Sequence, residues 1–145
     1  MATRNQTLEA NLLTVAAAMR KPTLSVGAEA IQAITITLSA VDGLGAAVAV
    51  ADLIQVEVFT DSAMSVKAVP ANFTLTDGGS GTRESVGATV THAVFQTTTA
   101  GALQVKVTDV SGVSAETLHV RFTYLAVSGV LKYAAPFHQV ITFTA

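Results

Sequence analysis

The chain has 145 residues, of which 50% are hydrophobic and only 12% are charged, and its formal net charge is -2. Because ordinary soluble domains carry about 25% charged residues, the apolar surplus must be buried in a β-rich core, covered by neighbouring subunits, or both. The absence of cysteine excludes disulfides and thiol chemistry, and the scattered charges form no basic stripe for a nucleic-acid partner.

The first predicted element is an N-terminal arm, residues 1–21, that has the pattern of a short helix. Thr7 is suited to cap the helix, and Glu9 falls in its first turn. Four apolar residues recur at spacings of four, three and four, and we take them as the candidate partner-binding residues: Leu8, Leu12, Val15 and Met19. Because so short a helix is marginal alone, the stripe packs either on the protein's own core or on a neighbouring subunit. An extended, partly disordered arm is a third alternative.

The apolar segment 12–19 differs from a secretory signal. It is short, Glu9 precedes it, and Arg20 and Lys21 follow it where small residues should mark a cleavage site. The apolar residues are spread evenly and never form the run of about 20 that a membrane helix needs. We therefore expect a protein made in the cytoplasm, with no membrane partner.

From Pro22 onward the hydrophobic period changes to two, which predicts antiparallel strands in one domain, residues 22–145. The clearest strand is 34–40, where apolar residues alternate with Thr and Ser, and a second covers 54–59. Shorter or later strands are predicted at 73–75, 88–97, 103–109, 117–123 and 139–144. Seven or more short strands at about ten-residue spacing indicate an all-β, antiparallel immunoglobulin-like β-sandwich.

The run DGGSGTRESVG at 77–87 separates two of these strands. Its Gly and Ser residues lower the cost of irregular backbone and raise the cost of ordering it. We therefore predict that Gly78–Gly87 forms a mobile, exposed hairpin tip.

No group of residues in the sequence has the spacing of a catalytic or metal site. The three histidines are isolated along the chain and are expected to be surface or packing residues: His92, His119 and His138. A homotrimer can nevertheless assemble a three-histidine metal site from one residue of each subunit. Serines lack the G-x-S-x-G context, and the glycines of GGSGT lack the P-loop lysine. We expect no catalytic residues, no cofactor, no metal and no enzyme activity.

Four aspartates lie at or beside predicted turns: Asp42, Asp61, Asp77 and Asp109. Calcium ligands would need several oxygens close together, and no D-x-D-x-D spacing is present. The sequence therefore predicts that they form turns.

The polar faces of the predicted strands are built from Thr, Ser, Gln and Ala. A hydroxyl or methyl group costs far less to bury than a carboxylate or an ammonium group, so such faces suit contacts between subunits. The composition therefore favours a structural or assembly role over that of a charged cytosolic monomer.

Three stretches resemble the immunoglobulin-like β-sandwich domains of structural proteins of tailed bacteriophages and prophages: LSVGAEAIQAITITLSAVDGLGAAVAV, IQVEVFTDSAMS and TTTAGALQVKVTDVSGVSAETLHVRFT. The resemblance covers residues 22–145. It depends on Gly27-Ala-Glu29, the turn Asp42-Gly-Leu-Gly45, Thr60-Asp61, the segment from Gly101 through Gly112 and the closing strand Val140-Ile-Thr-Phe143.

The resemblance implies a non-enzymatic virion structural protein, located in the virion. A free-standing sandwich with an arm is similar to a head decoration or cement protein, which binds the major capsid protein or other virion subunits. It also implies sister copies in a closed ring, with a trimer favoured. The alternatives are a tail-tube or tail-associated protein and a host-surface module that binds carbohydrate. The last would need exposed aromatic rings, and the chain has no Trp and two tyrosines, Tyr124 and Tyr133.

Overall fold

A computed structural model describes residues 2–84, 90–112, 115–125 and 136–144, and excludes the side chains of residues 2–8 and 14. The described chain contains one helix, α1, Ala2–Ala18, followed by nine strands. The strands are β1 (Arg20–Val26), β2 (Ala33–Asp42), β3 (Leu53–Phe59), β4 (Phe73–Asp77), β5 (Thr82–Arg83), β6 (His92–Gln96), β7 (Ala102–Asp109), β8 (Thr117–Tyr124) and β9 (Phe137–Thr142).

The strands form two antiparallel sheets, with the orders β1-β2-β7-β4 and β5-β6-β3-β8-β9. The first order corresponds to strands A-B-E-D of an immunoglobulin domain, and β3-β8-β9 corresponds to C-F-G. Strands β5 and β6 extend the second sheet beyond β3. The protein is therefore an immunoglobulin-like β-sandwich, and the predicted fold class is confirmed.

The core lies between the two sheets and accounts for the alternation in the sequence. Ile36 and Leu38 of β2, like Leu103 of β7, are fully buried, whereas the Thr and Ser residues between them face outward. Aromatic rings meet between the sheets: Phe73 of β4 and Phe143, just after β9, have ring centroids 6.0 Å apart. Aromatic and branched side chains thus hold the sheets together where antibody domains place a disulfide and a Trp.

Strand β1 is absent from the strands predicted above, and it begins at Arg20, two residues before the predicted domain start at Pro22. It pairs with β2, and its residue Leu24 is partly buried against the core. A strand at a sheet edge tolerates proline and buries little, so β1 has weak hydrophobic alternation.

The prediction that Gly78–Gly87 forms a hairpin is wrong for residues 78–84, although none of them is buried, and residues 85–87 lie outside the described chain. The segment crosses from β4 in one sheet to β5 in the other. Gly78 N–H donates to the Gln104 carbonyl at 2.9 Å, and Gln104 N–H donates to the Ser80 carbonyl at 2.8 Å. A Cβ at Gly78 would lie 2.8 Å from that of Gln104, so this glycine permits close packing of the segment on β7.

Helix α1 begins at Ala2, so the prediction that Thr7 caps it is wrong, because Thr7 lies within the helix. The residues before Thr7 include Ala, Arg and Gln, which favour helix and let it start earlier. Within the described residues, α1 is the one helix, and it is neither long nor apolar enough to cross a membrane.

Candidate interaction surfaces

Three of the candidate partner-binding residues lie on α1, Met19 is the residue that follows the helix, and the described ones are exposed. Leu12 is 69% exposed, Val15 48% and Met19 38%. Leu8 occupies the same helix, but its side chain is outside the described set. A stripe that packed on the protein's own core would be buried. The described part of the stripe is instead exposed, so it does not pack on the protein's own core. Packing on a neighbouring subunit is left open.

The C-terminal turn of α1 is fixed to the sandwich by the turn that follows β2. Gly43 N–H donates to the Ala16 carbonyl at 2.8 Å. A Cβ at Gly43 would lie only 2.4 Å from the same carbonyl oxygen. The helix and the turn can approach this closely because residue 43 has no side chain.

A buried ion pair secures the same end of α1. Arg20 Nε lies 2.6 Å from Asp52 Oδ2, and the two side chains are 3% and 1% exposed. Arg20 Nη1 also donates to the carbonyl oxygens of Ala17 at 2.9 Å and Met19 at 3.0 Å. These carbonyls at the helix terminus would otherwise lack partners, and a positive charge is favourable there.

Exposed apolar side chains continue from α1 onto the adjoining turn. Leu13 and Leu44 are each 56% exposed, and Leu44 follows the glycine that contacts the helix. Together with Leu12, Val15 and Met19 they concentrate apolar surface at one end of the sandwich. Monomeric soluble proteins rarely leave such patches uncovered, so this end is a candidate contact surface.

A second candidate surface is the outer face of the four-stranded sheet. Its residues alternate with the buried ones and are mostly uncharged: Thr23, Ser25, Thr35, Thr37, Ser39, Thr74, Thr76, Gln104 and Thr108. Lys21 and Lys106 are its charged members. Gln104 Nε2 donates to Thr37 Oγ1 at 3.3 Å. The face is therefore polar and cheap to desolvate, as the alternation predicts.

The outer face of the five-stranded sheet carries an ion-pair cluster around Glu57. Arg121 Nη2 lies 2.6 Å and Lys67 Nζ 3.1 Å from the two Glu57 carboxylate oxygens. The Arg121 guanidinium carbon lies 4.8 Å from the ring centroid of Phe59, which is 2% exposed. Burial alone would raise the pKa of Glu57, but its hydrogen bonds to Arg121 and Lys67 and their charges hold the pKa below its ordinary value. The charges of the cluster are paired with one another and Arg121 covers an aromatic ring, so we interpret the cluster as one that stabilises the sheet.

The three histidines lie on the same sheet, and two of them are close together. Strand pairing places His92 beside Glu57 and His138 beside Arg121. The rings of His119 and His138 have centroids 6.4 Å apart, and Nδ1 of His119 is buried without a hydrogen-bond partner. The sequence separation of 119 and 138 conceals this contact. Among the described residues, no group of three His, Cys, Asp or Glu side chains could hold a metal ion.

The aspartates beside turns accept backbone hydrogen bonds, which confirms their predicted role. Asp42 accepts from two backbone N–H groups of its turn, Asp61 accepts from those of Ser65 and Val66, and Asp77 accepts from Arg83. The Ser65 hydroxyl and these backbone groups hold the pKa of Asp61 below its ordinary value. Burial opposes a similar lowering of the Asp109 pKa, and hydrogen bonds from Ser111 and Gly112 outweigh it.

A shallow depression of about 410 Å³ lies beside the tight turn between β1 and β2, lined by Ala28, Ala30, Ile31, Ala33, Thr35, Lys106 and Thr108. Ile31 is 98% exposed and has a φ of 51°, a left-handed conformation that is rare for a branched residue. Lys106 is the ionisable residue in its lining. A single amine without a partner acid or base is not an arrangement for acid–base catalysis.

No family model matches this chain, and no curated protein matches it. Among solved structures, it is similar to the GAE domain of GGA2p from Saccharomyces cerevisiae, with 12% identity over 87% of this chain and 88% of that one, and a TM-score of 0.31. It is also similar to the yeast GGA1 GAE domain, with 10% identity over 87% and 90% of the chains and a TM-score of 0.28. Likenesses this low carry no information on function.

Proposed function

We propose that the protein is a non-enzymatic structural protein of a bacteriophage virion, of the capsid decoration or cement type. The observation that supports this proposal is the exposed apolar stripe of α1, which is fixed at one end to a β-sandwich. In this role Leu8, Leu12, Val15 and Met19 contact a neighbouring virion subunit, either the major capsid protein or a sister copy. Burial of these side chains removes apolar surface from water and favours assembly.

The outer face of the four-stranded sheet supports the same role. Its Thr, Ser and Gln side chains can be covered without stripping water from many charges. A capsid lattice presents many equivalent sites, so contacts that are weak singly retain the protein strongly when copies act together. Sister copies related by closed symmetry, with a trimer favoured, would match local threefold axes of a head. The proposed result is a lattice stabilised against the pressure of the packaged DNA.

The test adds the purified protein to phage heads that lack it and images the heads by electron microscopy. The proposal predicts regular density on the lattice and a higher temperature of DNA release. Bare heads with unchanged DNA release would overturn the proposal.

The two alternative virion roles make different predictions. A tail-tube subunit would assemble into rings or long tubes without a head. A carbohydrate-binding module would need exposed aromatic rings, but Tyr124 is 8% exposed and burial, together with nearby Asp52, raises its pKa to about 12. Tyr133 lies outside the described residues. The exposed stripe on α1 favours the decoration role over the carbohydrate-binding one.

A further inference from the structure

We infer that α1 binds α1 helices of other copies of this chain, as a parallel bundle with coiled-coil packing. This inference goes beyond the capsid proposal and does not depend on it, because the partner is a second copy of the chain. Spacings of four, three and four match the alternating steps between positions a and d of a coiled-coil heptad, and they also fit an ordinary amphipathic helix; the exposure of the stripe and the charges of α1 favour the coiled coil. These spacings place Leu8 and Val15 at heptad position d and Leu12 at position a; Met19 falls at the next a position, one residue beyond the end of α1.

The structure leaves this seam available. Leu12 and Val15 are 69% and 48% exposed, and Met19, the residue after the helix, is 38% exposed. The contacts described above fix the last turn of α1 through Gly43 and Arg20. They leave Leu12 and Val15 of the preceding turns uncovered.

The charges of α1 indicate that its partner is another α1. Its charged residues are Arg4 and Glu9, and the same register places Arg4 at position g and Glu9 at the following position e. In a parallel bundle, g of one helix faces the e position five residues further along its neighbour, where opposite charges attract. Residues five apart on one helix are not neighbours. The two charges are therefore complementary between copies, not within one.

Two further positions specify the arrangement. Asn5 falls at position a by the same register, and a polar residue there favours the alignment in which it meets its own copies. Leu12 at a and the β-branched Val15 at d favour three or four helices over two.

The fold is compatible with a parallel bundle. Each sandwich is attached at the C-terminal end of its α1, so parallel helices place all sandwiches around the same end, related by cyclic symmetry. The seam spans little more than two heptads, and helices this short are marginal alone. Association should therefore be reversible and depend on concentration.

The first test compares the full-length protein with Leu12→Asp and Leu13→Asp by sedimentation over a range of concentrations. Both leucines are exposed on α1, but residue 13 lies at position b, outside the seam. The inference predicts a closed oligomer for the unchanged protein and for Leu13→Asp, and a monomer for Leu12→Asp. A monomeric unchanged protein at millimolar concentration, or equal effects of the two substitutions, would overturn it.

The second test reverses the charges and does not disturb the apolar seam. Arg4→Glu and Glu9→Arg should each weaken association severalfold, more at low salt than at high salt, and the double variant should restore it. Because the two residues are not neighbours on one helix, restoration would have to arise between copies. Failure of the double variant to restore association would overturn the parallel arrangement. Neither test includes a capsid, so its result is independent of the capsid proposal.

Discussion

At the residue scale, the few charged groups are used for structure. The sequence predicts the turn aspartates correctly, because a carboxylate beside Gly and Ser has a local reason to accept backbone hydrogen bonds. The partners of Glu57 and Arg20 could not be predicted in the same way. Arg121 is 64 residues from Glu57, and Asp52 is 32 residues from Arg20. Contacts of this kind depend on strand order and register, which cannot be predicted from the local sequence around one residue.

The buried pair Arg20–Asp52 should be among the most sensitive sites in the protein. Arg20→Ala leaves the Asp52 carboxylate buried without its counter-charge, and we expect a loss of about 3–5 kcal/mol in the free energy of unfolding. Lys21→Ala, at an exposed neighbouring position, should change it by less than about 0.5 kcal/mol. Urea unfolding of both variants measures the difference. Equal effects of the two substitutions would show that the ion pair does not hold the end of α1.

Stability should fall in acid. The pKa values of Glu57, Asp61 and Asp109 are lower in the folded protein than their ordinary values of 4.5, 3.8 and 3.8. Their contribution is therefore complete above those ordinary values and is lost as the pH falls through the lowered folded values. The melting temperature should be level near neutral pH and decrease below about pH 4.5, with a smaller decrease in Glu57→Gln. A melting temperature that does not fall in acid would contradict this account.

At the element scale, the strands with strong alternation were predictable, and the two edge strands that bury few side chains, β1 and β5, were not. Strand β2 buries every second side chain up to Ala40, β3 does so from Leu53 to Val56, and both have a clear pattern in the sequence. Strands β1 and β5 lie at sheet edges and bury little. The apolar spacing of α1 was visible in the sequence. Whether these side chains are buried or exposed was not, because the same spacing suits a core-facing helix and an exposed one.

The close contact between Gly43 and α1 can be tested with two glycines of one turn. Gly43→Ala introduces a Cβ against the Ala16 carbonyl and should release the last helical turn, with faster hydrogen exchange of the Gly43 and Met19 amides. Gly45→Ala meets no atom within 4 Å but has a φ of 83°. It should lower stability by about 1 kcal/mol without an effect on exchange in α1. Equal exchange in both variants would contradict the contact.

At the scale of the whole molecule, the composition and the structure agree. The low charge content is explained partly by the apolar core and partly by the outer face of the four-stranded sheet, which is built mostly from Thr, Ser and Gln. The sandwich was predictable because period-two alternation determines which side of each strand is buried. The partner was not predictable from composition, because any uncharged surface suits many neighbours. Our inference that another copy of the chain binds α1 is based on the exposed apolar stripe and the charges of that helix.

The most direct measurement of this claim is disulfide cross-linking, which is possible because the chain has no native cysteine. In a parallel bundle, position a of one helix faces position a of its neighbour, within the reach of a disulfide. Leu12→Cys should therefore form covalent dimers on mild oxidation, whereas Leu13→Cys, at position b, should not. Cross-linking of both variants to the same extent, or of neither, would contradict self-association through α1.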